Sequence, residues 1–140
     1  MEWMLMPFRR YADFSGRSRR MEYWMFRLFE FGVFMVGLIA MSILAATAGS
    51  AAGETAGSIV GSIGVLGLVM FALFSFIPGL AVTVRRLHDT DKSGWMILIG
   101  LIPLIGGILL LIFLFSDGTR GANKYGADPK GEGYSGDVFA

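Results

Sequence analysis

Val84-Arg85-Arg86-Leu87-His88-Asp89-Thr90-Asp91-Lys92-Ser93-Gly94-Trp95 is a short polar link between two apolar runs, and its reading decides the fold. Arg85, Arg86, Asp89, Asp91 and Lys92 crowd into it beside the chain's single histidine, His88. The run before it, 58–84, and the run after it, 95–115, carry no charge at all. A helix needs about 20 apolar residues to cross the hydrocarbon of a bilayer, and each run is long enough. A third run, 23–47, lies upstream and is free of charge from Phe31 onward.

The composition agrees. Of 140 residues, 54% are hydrophobic and only 16% charged, and the mean hydropathy is +0.62. Soluble domains carry about 25% charged residues, so lipid is the expected solvent for a chain of one domain's length. There is no cysteine, hence no disulfide framework and no thiolate metal site. One histidine is too few for a histidine-based zinc site. Neither a metal nor a cofactor is expected. Nucleophile-elbow, zincin and phosphate-loop patterns are missing, and the glycines fall in apolar runs or the tail, so no catalytic set is assigned.

The chain divides into a basic segment 1–22, a helical transmembrane domain 23–115 and a polar, Gly-rich tail 116–140. In the first, Trp3, Leu5, Phe8, Tyr11 and Phe14 recur among Arg9, Arg10, Arg17, Arg19 and Arg20. This pattern predicts a short amphipathic helix in the membrane interface, with Pro7 in its first turn. Trp3, Arg19, Arg20, Tyr23, Trp24 and Trp95 are the expected interfacial anchors. Aromatics among arginines also suit nucleic acid, but beside a membrane span the partner expected is anionic lipid.

The spans are expected at about 23–47, 58–84 and 95–115, with an Ala/Gly/Ser/Thr loop over 48–57. Gly57, Gly61, Gly64 and Gly67 give the second span a small-residue side for close helix contact. Pro78-Gly79 should loosen it before the link. The third is either one span kinked at Pro103 or a re-entrant hairpin broken around Pro103 and Gly106-Gly107. The last ten residues are expected to lack order. Basic residues precede the first span and follow the second, while the loop between has none. The positive-inside rule then puts the N-terminus and the 85–94 link in the cytoplasm. Three spans would put the tail outside; its Arg120, Lys124 and Lys130 speak for the hairpin.

The candidate site is Arg85, Arg86, His88, Asp89 and Lys92, with Glu30 brought near by antiparallel pairing of the first two spans. An ionisable group within a span calls for a partner, and Arg85 or Arg86 is the one expected for Glu30. Adjacent Arg forks suit an anion such as a lipid headgroup, and His88 beside Asp89 could form an acid–base pair. The plainer reading takes the arginines as charges that hold lipid phosphate, and Asp89, Thr90, Asp91 and Ser93 as capping and turn residues.

The chain resembles the bacterial inner-membrane family called domain of unknown function 805. Three stretches carry the resemblance: Tyr11 to Arg20 running on to Glu22-Tyr23-Trp24 and Phe26; Arg85 to Thr90 with Ser93-Gly94-Trp95 and Ile102 to Gly106; and Gly118-Thr119, Gly121, Asn123, Tyr125-Gly126 and Asp128-Pro129. It implies a small polytopic protein of the bacterial inner (plasma) membrane and supplies no activity. The class expected is thus an all-α membrane protein with three hydrophobic helical segments and an interfacial N-terminal helix. The function expected is that of a non-enzymatic scaffold or accessory component, binding anionic lipid, a membrane partner or a second copy of itself. The alternatives are an oligomeric transporter or channel subunit, and a membrane-interface enzyme acting on a phosphorylated lipid through His88 and Asp89.

Overall fold

The computed structural model describes residues 2–131, with side chains from residue 4 onward. The Trp3 side chain and residues 132–140 of the tail lie outside the described residues. All regular elements among the described residues are helical: α1 (Glu2–Arg9), α2 (Arg20–Ala52), α3 (Glu54–Asp89), a 3₁₀ segment (Gly94–Leu101) and α4 (Gly106–Phe115). Two helices, α2 and α3, are long and apolar enough to cross a membrane; α4 is apolar but shorter. The chain forms two compact units, Arg27–Ile77 and a second built from Met1–Phe26 with Pro78–Ala140.

The Arg27–Ile77 unit is a helical hairpin. The loop expected over 48–57 shrinks to one residue, because α2 runs to Ala52 and α3 starts at Glu54. Alanine favours the helix, and the polar side chains turn back onto it. The Thr47 and Ser50 hydroxyls donate to the Leu44 and Thr47 carbonyls, each at 3.0 Å. Gly53 makes the reversal at φ +92°, in the left-handed region that glycine enters without steric cost. Part of the expected glycine face is a true contact face. A Cβ on Gly57 would stand 2.8 Å from the Ala45 carbonyl, and one on Gly64 would overlap the Met41 side chain, whereas Gly67 meets open space. Val36, Ile39, Ile63 and Leu73 are all more than half exposed, as suits helices surrounded by lipid.

The second unit has a small apolar core of Tyr23, Phe26, Val82 and Leu114, against which Phe8, Trp24 and Leu110 pack. Phe8 meets Phe26 edge-on at 5.2 Å between centroids, and Trp24 stacks on Phe115 at 4.2 Å. In this unit the third apolar run is two pieces, not one kinked helix. Proline disfavours helical backbone in the residue before it, and Ile102 is extended at φ −75°, ψ 119°. After the break the chain doubles back. A Cβ on Gly106 would overlap the Ile99 carbonyl, and one on Gly100 would come 3.2 Å from Leu110, so the 3₁₀ segment and α4 lie against each other. Leu104 sits at the bend, at φ +66° and 92% exposed.

Candidate functional site

The last turn of α3 sends its polar side chains in different directions, and each finds a distant stretch of the chain. The turn closes with Thr90 and Lys92 N–H groups donating to the Leu87 carbonyl at 3.1 and 2.9 Å, and with Asp91 in the left-handed region at φ 56°. Asp tolerates that conformation better than most residues. From this fixed end, Arg85 reaches the loop after α1, Arg86 the end of α4, His88 the loop at Gly16, and Asp89 reaches Arg17.

Asp89 is the hub. Arg17 Nε donates to its Oδ1 at 3.0 Å, and Arg86 Nη1 donates to its Oδ2. The side chains of Arg17, Arg86 and Asp89 are 1%, 0% and 5% exposed. Burying two guanidinium groups around one carboxylate is tolerable only if the remaining donors are satisfied. They are given backbone carbonyls. Arg17 donates to Gly121 O at 2.6 Å and to Thr119 O, while Arg86 donates to Leu114 O at 3.2 Å and to Ser116 O. The Asp89 carbonyl accepts from the Thr119 N–H at 2.8 Å and from its hydroxyl at 3.2 Å. Gly118 lies against this carboxylate so tightly that a Cβ there would overlap it. One acidic residue, through its carboxylate and its backbone carbonyl, thus pins the segment before α2, the end of α3 and the tail.

Arg85 makes a second knot. It is fully buried, pairs with Glu22 at 3.0 Å and donates to the Asp13 carbonyl at 2.7 Å. The Ser18 N–H returns a bond to the Arg85 carbonyl at 3.1 Å. Glu30, for which Arg85 or Arg86 was the expected partner, instead pairs with Arg27 at 2.6 Å, three residues back on its own helix. Outside the helices, Asp13 binds Ser15 and Arg10, and these hold its carboxyl well below the usual carboxylate range, the Ser15 hydroxyl contributing most.

His88 and Asp89 do not act on each other. The Asp89 carboxylate is taken by arginines, and His88 turns the other way, its Nδ1 3.2 Å from the Gly16 carbonyl. In the tautomer with its proton on Nδ1, His88 donates there. Its ring stacks on Tyr125 at 3.8 Å and 5° between planes, and Asn123 donates to its carbonyl at 2.9 Å.

The remaining expected positions scatter. Lys92 is half-buried, with its ammonium 4.7 Å from the Phe113 ring centre. Trp95 is 79% exposed. Tyr23 is buried in the core and Trp24 half-buried on Phe115. Arg19 donates to the Pro129 carbonyl, and exposed Arg20 pairs with Asp117 at 2.6 Å. Trp3 keeps its place in α1, its side chain outside the described residues. Sequence reasoning left out Arg17, Glu22, Gly118 and Thr119 as site members. All four stand in the stretches that carry the family resemblance, which was the available signal.

Two membrane-length apolar helices and an ion-paired end that uses its own buried charges define an integral membrane protein with a tightly built polar rim. The chain belongs to the family described as "Protein of unknown function (DUF805)", which matches residues 11–127. Among its relatives are the inner membrane proteins YhaI and YhaH of Escherichia coli (strain K12). YhaI is 39% identical over 130 residues, covering 93% of this chain and 97% of the relative. YhaH is 40% identical over 131 residues, covering 93% and 98%. No solved structure matches the chain. This chain, with its own apolar helices, is likewise a bacterial inner-membrane protein.

Proposed function

We propose that the chain is a non-enzymatic component of the inner membrane whose polar unit sits on the cytoplasmic leaflet and binds anionic headgroups. One observation carries the reading. The buried cations Arg17, Arg85 and Arg86 are spent on the fold, while Arg9, Arg120, Lys124 and Lys130 stay exposed on the same unit. Lys124 and Lys130 meet Asp91 and Asp117 only at 3.6 and 3.9 Å, in pairs open to solvent that water screens. Exposed basic residues at a cytoplasmic rim attract anionic lipid with about 1 kcal/mol each. An acid–base reading of His88 and Asp89 loses its support, since neither faces the other.

In this arrangement α2 and α3 are the two spans, and the 3₁₀ segment with α4 is a hairpin that enters and leaves by the cytoplasmic leaflet. The N-terminal segment, the 85–94 link and the tail then share the cytoplasmic side. Support comes from the tail's bonds to the link, Thr119 to Asp89 and Asn123 to His88, and from the basic residues of all three segments. The test is the lipid held by protein extracted into polymer nanodiscs, compared with the bulk membrane. Anionic lipid should be enriched at low salt, with the enrichment falling away near 1 M salt, where the Debye length is about 3 Å. A bulk-like lipid composition at every salt concentration refutes the reading.

A further inference from the structure

A cleft of about 500 Å³ opens beside the link, lined by Phe14, Val84, Trp95 and Leu98 with the rings of His88 and Tyr125. Its size and lining, mostly apolar with a few polar groups, are those of a small-molecule site. Two of the lining side chains are themselves turned outward, Trp95 at 79% and Leu98 at 50% exposed, and Leu101 of the same 3₁₀ segment is 78% exposed. His88 uses Nδ1 on Gly16, while its Nε2 lies on the Gly94 side, 3.4 Å from where a Gly94 side chain would begin. The Lys124 ammonium stands 5.1 Å from the centre of the Tyr125 ring that forms the wall. The His88 and Tyr125 rings that form part of the wall stack on each other, and Asn123 donates to the His88 carbonyl.

An apolar cleft with exposed apolar side chains beside it and a cation near one wall fits a molecule that pairs an apolar chain with a negative charge. We infer that the cleft holds one acyl chain of a single anionic phospholipid, with its phosphate beside Lys124. The inference rests on the lipid-binding reading above and narrows it from a diffuse layer at the rim to one built site. Chain burial supplies affinity that salt does not remove, since apolar contact is not electrostatic. Lys124 supplies the preference for a negative headgroup.

Native mass spectrometry of the full chain in a neutral detergent, titrated with dioleoyl phosphatidylglycerol or dioleoyl phosphatidylcholine, tests this. Wild type should hold one phosphatidylglycerol that survives about 0.5 M salt, where a diffuse layer is screened. It should prefer it about tenfold over phosphatidylcholine, equivalent to about 1.4 kcal/mol. Leu80→Phe and Leu98→Trp each fill the cleft from a different wall. Either, with an unchanged melting temperature, should lose the salt-resistant adduct about tenfold while keeping the salt-sensitive lipids. Lys124→Glu changes an exposed side chain whose pair with Asp91 is open to solvent. It should keep a bound lipid and lose the headgroup preference. A salt-resistant adduct that persists in the filled variants, or an unchanged preference in Lys124→Glu, overturns the inference. Loss of the salt-sensitive lipids alone, from wild type, would instead remove the broader rim reading.

Discussion

Asp89→Asn keeps the shape of the hub and removes its charge. In the wild type, one carboxylate faces two guanidinium groups whose side chains are 1% and 0% exposed. Removing one partner of a buried pair costs about 3–5 kcal/mol, because the other charge stays buried without compensation. The asparagine keeps one acceptor oxygen, so the loss should lie at the lower end, about 3 kcal/mol. Against a total stability of about 5–15 kcal/mol, that is a large fraction. Gly118→Ala should reach the same group from another side, since its Cβ would push into the Asp89 carboxylate. If both act through that carboxylate, their effects do not add: the double variant should be little worse than the poorer single one. Denaturant unfolding in detergent, followed by the near-ultraviolet signal of Trp24 on Phe115, reads the change in the unit concerned. A loss under about 0.5 kcal/mol for Asp89→Asn, the level of an ordinary surface change, would refute the hub. So would additive losses from the two substitutions.

Other expectations follow from single positions. Gly16→Ala places a side chain at φ +77°, costing about 1–2 kcal/mol, and should shift the His88 ring signals in NMR because Gly16 O faces Nδ1. Leu104→Gly relieves the positive φ at the exposed bend, so the melting temperature should rise by a few degrees, the equivalent of about 1 kcal/mol. Asp13→Asn should be less stable than wild type at neutral pH. Because the folded Asp13 carboxyl is held low, its contribution is present above the ordinary carboxylate range and lost as pH falls through the folded value, so the gap between the two melting curves should close in acid.

Much of the fold was legible. Uncharged runs of membrane length mark α2 and α3, and the spacing of Gly57 and Gly64 foretold the face on which the hairpin closes. What was not legible depends on partners far away in sequence. Arg17 and Asp89 are 72 residues apart and Arg85 and Glu22 are 63 apart, and no periodicity relates them. Glu30 drew attention because it lies inside an apolar run, yet a neighbour three residues away satisfies it; Glu22 stands in the first turn of α2, where nothing nearby in sequence points to Arg85. Tyr23 reads as a membrane anchor by type and position, but the core takes it. The loop over 48–57 misled for a local reason: Ser, Thr and Gly signal turns, and in an alanine-rich stretch their hydroxyls bond back to the helix. Pro103 favoured a single kinked span over a break, and the doubling back depends on contacts between Gly106 and Ile99 that only the folded unit creates.

The proposed arrangement puts the tail on the same side of the membrane as the link, on which it docks: Thr119 bonds to Asp89 and Arg17 spans both. A paired reporter fused after Ala140 measures this directly: a fluorescent protein that matures only in the cytoplasm and a phosphatase active only outside. With two spans and a hairpin that returns to its own side, the fluorescent fusion should light and the phosphatase fusion stay silent. Phosphatase activity with a dark fluorescent fusion would mean that 95–115 crosses the membrane, and that the tail and the link cannot meet.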